Sequence, residues 1–162
     1  DLADQVLERS RRRWPDVEFI AGDFLVTQFP AESFDVVTSL EVLSHVPDQS
    51  GYIKKIERVL KPSGYLLMAT QNRPVLERCK LPAPEGWVRR WVDRAELSAL
   101  IAPHLSLQDM FTVEPLSKEG LTRYLTAGKV MRIMNTVTGN RYKRWLEHAG
   151  LGWSIMCRAR KQ

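Results

Sequence analysis

The run Phe34 to Leu40, FDVVTSL, is a β-rich apolar stretch of the kind that forms a parallel strand covered on both faces. The next thirty residues supply its partner. Tyr52, Ile53, Ile56, Val59 and Leu60 recur at helical spacing, and Lys61-Pro62-Ser63-Gly64 stops that helix before a second apolar strand, Tyr65 to Thr70. Strand, helix and strand in that order make a β-α-β unit, which commits the chain to an α/β architecture.

The flanks extend the pattern. Leu2 to Trp14 places Leu2, Val6, Leu7 and Trp14 among charged residues and ends at Pro15, as an amphipathic helix does, and VEFIA (Val17 to Ala21) then reads as a short strand. Beyond the β-α-β unit comes a loop rich in Pro, Arg and Trp from Gln71 to Val92. Asp93 then opens a helix with Glu96 three residues on, the capping-box spacing, and Leu97, Leu100 and Ile101 give it a core face. Leu105 to Glu114 and Gly152 to Arg160 alternate as strands, expected to pair antiparallel, and Gly120, Gly128 and Gly139 punctuate a helical segment between them. The whole chain reads as an α/β doubly wound sheet with a helical insertion, residues 116–149, before the last strand. Gly150-Leu151-Gly152 precedes a strand, so it is expected to be a helix C-cap and not a phosphate-type loop.

Composition suits one domain over residues 1–162, since 162 residues with 44% apolar content can build a sizeable core. Cys79 and Cys157 have no paired-ligand spacing, so neither a disulfide framework nor a zinc site is expected, and a reducing, cytoplasmic setting fits. No apolar run reaches the roughly 18 residues of a membrane helix. His104 and His148 have no partner at meaningful spacing and are expected on the surface. The net charge of +5 is localised: Leu116 to Ala149 alone carries it, and the rest of the chain is neutral. Such a segment suits an acidic substrate, an anionic membrane surface, a nucleic acid, or simply a solvated helical face.

Four stretches in order, DLADQVLERSRRR, FIAGDF, FDVVTSLEVLSHVPD and IERVLKPSGYLLMAT, resemble the second-strand end with its helix, the third-strand end, the fourth strand with its loop, and the helix with fifth strand of class I S-adenosylmethionine-dependent methyltransferases. The resemblance implies a Rossmann-like sheet and S-adenosylmethionine as cofactor. It also implies methyl transfer to an oxygen or nitrogen of an acceptor, and the basic, partly apolar segment 116–149 suits one that is small and anionic or lipophilic. The chain opens on Asp1 with no glycine-rich turn before it, so the expectation is a truncated enzyme whose sheet lacks its first and most of its second strand. These 162 residues alone are then expected to be poorly stable and inactive.

The resemblance also assigns roles. Asp1 matches the acidic residue that accepts from the cofactor's ribose hydroxyls, with Leu2 packing on the adenine. Asp23 comes directly after the third strand, where its carboxylate accepts from the adenine amino group, and Phe24 offers a backbone N–H and an apolar surface; a plain turn and a core phenylalanine are the competing readings. Leu40 and Glu41 occupy the carboxyl edge of the fourth strand. His45, four residues after Glu41, shares a face with it if the loop turns helically, and is the candidate base for an acceptor hydroxyl; a structural histidine is the alternative.

The nearest flavour is the ubiquinone-biosynthesis O-methyltransferase group, whose E-x-x-E-H loop is associated with a divalent metal. Here the loop reads Glu41-Val42-Leu43-Ser44-His45, and a serine in place of the second carboxylate removes a strong ligand for a hard cation, so no metal site is expected. Gln71-Asn72-Arg73 resembles the same group, whereas Trp87, Arg89, Arg90 and Trp91 read mainly as packing. Leu121, Tyr124, Leu125, Met131 and Met134 can supply the inner face of a lid, with Arg123 and Arg132 at the acceptor; helical packing onto the sheet is the competing reading. The other function classes are an RNA methyltransferase and a noncatalytic module holding an acidic partner through the basic segment. No RNA-module motif supports the noncatalytic module.

Overall fold

Asp48 starts the crossover helix by accepting from the Gly51 N–H at 2.8 Å, which satisfies one of the donors a helix leaves unpaired at its first turn. That helix, α2 (Gln49–Val59), buries Tyr52, Ile53, Ile56 and Val59 and joins β1 (Phe34–Leu40) to β2 (Leu60–Gln71), which pair in parallel. The computed structural model describes residues 4–80, 90–118 and 120–162. Strand β2 begins at Leu60, earlier than the stop signal implies. The Lys61-Pro62-Ser63 stretch bulges out of register between the Phe34–Leu60 and Val36–Tyr65 pairs, with Ser63 at φ 65°. Lys61 reaches back across this bulge to the Asp35 carboxylate at 2.9 Å, and that contact draws the exposed carboxyl below its ordinary range.

The remaining elements are α1 (Asp4–Arg13), α3 (Arg73–Arg78), α4 (Arg94–Ile101), β3 (Ser106–Pro115), α5 (Gly120–Leu125), α6 (Gly128–Thr138), α7 (Arg141–His148) and β4 (Gly152–Arg160). The sheet order is β1-β2-β4-β3, with β4 antiparallel to both neighbours. Strands β1, β2 and β3 therefore run the same way, and their carboxyl ends share one edge with the start of β4. The capping box at Asp93 forms as the sequence implies, with both reciprocal bonds at 2.9 Å. Arg73 closes it from outside, 2.6 Å from Asp93 and 2.9 Å from Glu96.

Leu66 and Met68 of β2 and Ile155, Cys157 and Ala159 of β4 pack with Ile53, Ile56, Leu97 and Ile101 of α2 and α4 in one buried cluster. Burial pushes the Cys157 thiol up to about 12, which keeps it a protonated, unreactive core residue. The opposite sheet face differs from the expectation for FDVVTSL. Val36, Thr38 and Leu40 stand exposed there beside Tyr65 and Leu67, because the described helices that pack on β1 and β2 lie on the α2 side. VEFIA is likewise no strand. A strand exists only through a ladder, and the Phe19 carbonyl instead accepts from the Arg11 side chain at 2.9 Å. His104 corrects a third expectation: the turn after α4 sets its Nδ1 2.6 Å from Glu57 of α2, so it is paired and half-buried. His148 Nδ1 lies 2.8 Å from the Arg144 carbonyl in its own helix.

Among the described glycines, Gly152, at the start of β4, meets the most crowded backbone. A Cβ there would fall 2.5 Å from the Val113 nitrogen, and rigid backbone cannot yield as a side-chain tip can. Gly152→Ala is expected to cost about 1–3 kcal/mol in urea unfolding. A variant as stable as the parent would mean that β3 and β4 are not this close.

Candidate functional site at the carboxyl edge of the sheet

Three segments meet the shared edge. The first is the exit from β1. Leu40 is 64% exposed, an unusual position for a leucine at a strand end, and Glu41 comes next with φ 58°. A left-handed glutamate costs on the order of 1 kcal/mol or more and needs surroundings that hold it. Its N–H continues the ladder to the Ala69 carbonyl at 2.8 Å, and its Oε1 accepts from Ser154 Oγ of β4 at 2.8 Å. Its Oε2 is buried with no hydrogen-bond partner. A buried carboxylate oxygen without a donor is unfavourable, so this atom is an acceptor suited to a bound N–H or O–H group.

After Glu41 the chain makes a single 3-10 turn, Leu43–His45, with Leu43 and Ser44 buried and His45 exposed. Because Glu41 is left-handed and lies outside that turn, Glu41 and His45 do not share a helical face, contrary to the expectation. The turn is fixed from behind. Gln49 Nε2 donates to the carbonyls of Leu43 at 3.1 Å and Arg90 at 2.7 Å, and the Arg90 guanidinium donates to the Pro47 carbonyl at 2.8 Å. Arg90 is thus a brace for the loop.

The second segment is the Gly22-Asp23 turn. Gly22 takes φ 135°, and Asp23 Oδ1 accepts from the Leu25 N–H at 2.8 Å, so the carboxylate both shapes the turn and remains exposed. The Phe24 ring packs edge-on against Tyr52 at 5.3 Å and tilted against Phe29 at 5.7 Å, which makes its side chain core; only its backbone stays available to a ligand. Tyr52 in turn shares a buried hydrogen bond with Ser39 at 2.9 Å, one residue before Leu40. The first two segments therefore flank the same turn of α2. Lys55, one turn further on, donates to the carbonyls of Leu25 at 2.8 Å and Thr27 at 2.6 Å and sits over the Phe24 ring.

The third segment joins the end of β2 to the start of β4. Asn72 is buried; its N–H meets the Trp153 carbonyl at 2.9 Å, and its Nδ2 donates to the carbonyls of Gly150 at 3.0 Å and Gly152 at 2.7 Å. Thr70 Oγ1, Gln71 Oε1 and Ser44 Oγ are buried and unpartnered near these ends, like Glu41 Oε2. Gly150 takes φ 81° and donates to Glu147, the helix C-cap expected for this G-x-G. Beside it opens a cleft of about 510 Å³ lined by Glu114, Pro115, Leu116, Met131, Lys143 and Trp153.

Among the candidates read from the sequence, Asp23, Leu40 and Glu41 come to this edge, with the Phe24 backbone but not its ring. His45 is on the same loop as Glu41, and Asp1 and Leu2 lie outside the described residues, as do Trp87 and Arg89. Tyr124 is exposed and not on an inner lid face, Arg123 and Arg132 are exposed, and the side chain of Leu121 is outside the described set. Met131 does line the cleft, and the cation beside it is Lys143. Ser154, Lys55 and Lys143 carry no motif signal; only strand register and helix packing bring them in. Lys55→Met should release the Asp23 turn without loosening the sheet, seen as faster amide hydrogen exchange at Leu25 to Thr27 with β2 unchanged. Unaltered exchange at the turn would mean that Lys55 does not hold it.

Residues 1–68 match the family model described as a methyltransferase domain. The ubiquinone biosynthesis O-methyltransferase of Idiomarina loihiensis is 35% identical over 131 residues, 75% of this chain and 54% of the relative. A phthiotriol/phenolphthiotriol dimycocerosates methyltransferase of Mycobacterium ulcerans is 29% identical over 148 residues, 91% of this chain and 52% of that protein. The chain thus spans about half the length of these relatives. A solved S-adenosylmethionine-dependent methyltransferase of Thermotoga maritima superimposes with a TM-score of 0.67 at 20% identity, covering 100% of this chain and 69% of the other. The sequence matches and the fold both point to the class I S-adenosylmethionine-dependent methyltransferases.

Proposed function

We propose that the protein carrying this chain transfers a methyl group from S-adenosylmethionine to a hydroxyl oxygen of a small, lipophilic acceptor, with residues 116–149 as the cover over that acceptor. The observation behind this reading is the adjacency of two sites along β4. Ser154 binds Glu41 on the cofactor edge, and its neighbour Trp153 lines the 510 Å³ cleft.

The residues at the edge suit the adenosyl group. The cofactor's amine and hydroxyls are donors, and Glu41 Oε2 and the exposed Asp23 carboxylate are acceptors; Leu40 offers apolar surface between them. Asp1 and Leu2 are proposed to contribute at the ribose and adenine, as the family resemblance implies. Bound there, the cofactor supplies an electrophilic methyl on its sulfonium sulfur. The chain's own part is alignment of the acceptor and removal of the hydroxyl proton, for which His45 on the exposed loop is the proposed base. Pro115, Leu116, Met131 and Trp153 give the cleft apolar walls, and Lys143 can meet a phenolate or other anionic oxygen. Two relatives are named for O-methylation in ubiquinone biosynthesis and for methylation of dimycocerosates, which agrees with a lipophilic acceptor. The reaction calls on no divalent metal in this reading: the position of the second motif carboxylate is Ser44, a buried neutral hydroxyl.

In the full-length protein, Glu41→Gln is expected to weaken S-adenosylhomocysteine binding about tenfold or more by calorimetry. His45→Gln is expected to leave that binding intact and to lower kcat by about 10²-fold or more. Unchanged affinity in the first variant would remove Glu41 from the cofactor site, and unchanged kcat in the second would remove His45 as base.

A further inference from the structure

Helix α6 buries no residue completely, and one side of it is exposed along its whole length: Lys129, Arg132, Ile133, Thr136 and Val137. Ile133 and Val137, one turn apart, are 61% and 77% exposed. A helix of this length gains most of its stability from burying an apolar stripe, so isoleucine and valine on the outward side are not explained by the fold. The next helix repeats the pattern. Arg141, Arg144, Trp145 and His148 of α7 are exposed at helical spacing, with Trp145 57% exposed, while Leu146 is buried against the sheet side. The two helices pack together, tied by the Asn135 carboxamide, which accepts from the Lys143 N–H at 3.1 Å.

No acid opposes these cations among the described residues of α6 and α7 except Glu147, which is half-buried and paired with Lys143 at 3.6 Å on the inner side. The outward surface therefore combines arginine and lysine with isoleucine, valine and tryptophan, and lacks carboxylates. We propose that the outer faces of α6 and α7 dock on an anionic lipid bilayer, with Lys129, Arg132, Arg141 and Arg144 at the headgroup phosphates and Ile133, Val137 and Trp145 entering the acyl boundary. Nucleic acid or an acidic protein would satisfy the charges but leave the three apolar side chains in water. A bilayer surface takes both, and tryptophan is favoured at its interface. Met131 and Lys143 on the inner side of the same helices line the cleft, so docking sets its mouth close to the phase in which a lipophilic acceptor resides.

The test is flotation of the full-length protein with phosphatidylcholine vesicles containing about 30% phosphatidylglycerol, against phosphatidylcholine alone. The expected result is binding to the anionic vesicles only, falling steeply between about 50 and 200 mM salt. Arg132→Glu with Arg144→Glu should cut binding about 25-fold or more, at roughly fivefold for each cation removed from the surface. Ile133→Ser, Val137→Ser and Trp145→Ser together should cut it comparably, with circular dichroism and S-adenosylhomocysteine affinity unchanged. The same charge change on α2, Lys54→Glu with Arg58→Glu, should leave it intact. Absence of vesicle binding at low salt overturns the proposal, as does equal loss in the α2 control or indifference to the apolar substitutions. Capture of RNA by the same cations, with vesicles ignored, assigns the surface to nucleic acid instead. Should the arginine variant fail to fold, the serine set decides alone. None of these readouts depends on methyl transfer.

Discussion

The buried carboxamide of Asn72 holds the working edge of this protein together. Strand β2 ends there, and β4 arrives after a long excursion through α3, α4, β3 and the helices α5 to α7; nothing local tells β4 where to begin. Asn72 fixes the point by donating to the carbonyls of Gly150 and Gly152 while its N–H meets Trp153. Two carbonyls at the mouth of the insertion would otherwise be buried without donors, so the register of β4 against β2 is set by polar satisfaction as much as by apolar packing.

That register builds the site. Ser154 lies opposite Gln71 at the end of β2, reaches Glu41 just beyond β1 and holds it in its left-handed conformation, and Trp153 faces the cleft under the insertion. Gly152 permits the close approach of β3. Three consecutive residues of β4 thus connect strand packing, the proposed cofactor edge and the proposed acceptor cleft, and a shift of one residue would reverse which of them faces which. The Asp23 turn is anchored separately, through Phe24 on Tyr52 and Lys55 on the turn carbonyls, so its position depends on α2 and not on β4.

The features readable from sequence were local ones. The capping box at Asp93 and the C-cap at Gly150 come from spacing within one helix or turn, the β-α-β unit from three consecutive segments with distinct periods, and each is present. VEFIA carried strand-like residues but had no ladder, and strand identity is a property of pairs. FDVVTSL reads the same whether one face or both are covered, because valine and leucine record apolar character and not the neighbour that satisfies it. His104 met Glu57 across 47 residues, and Ser154 met Glu41 across 113, distances at which spacing carries no information. Leu40 and Glu41 were found through a family resemblance to a strand-end motif. The orphaned oxygen that gives Glu41 its chemical meaning could be seen only in three dimensions.

If the carboxyl edge holds the nucleoside of the cofactor, and the cleft and the open sheet face do not, ligand binding must register at that edge. Hydrogen exchange of the full-length protein with and without S-adenosylhomocysteine reads this out. Slowed exchange is expected at two places within this chain, the Asp23 to Leu25 turn and the Leu40 to Leu43 exit from β1, with the α6 amides unaffected. Measured binding that leaves both places unprotected would contradict the assignment.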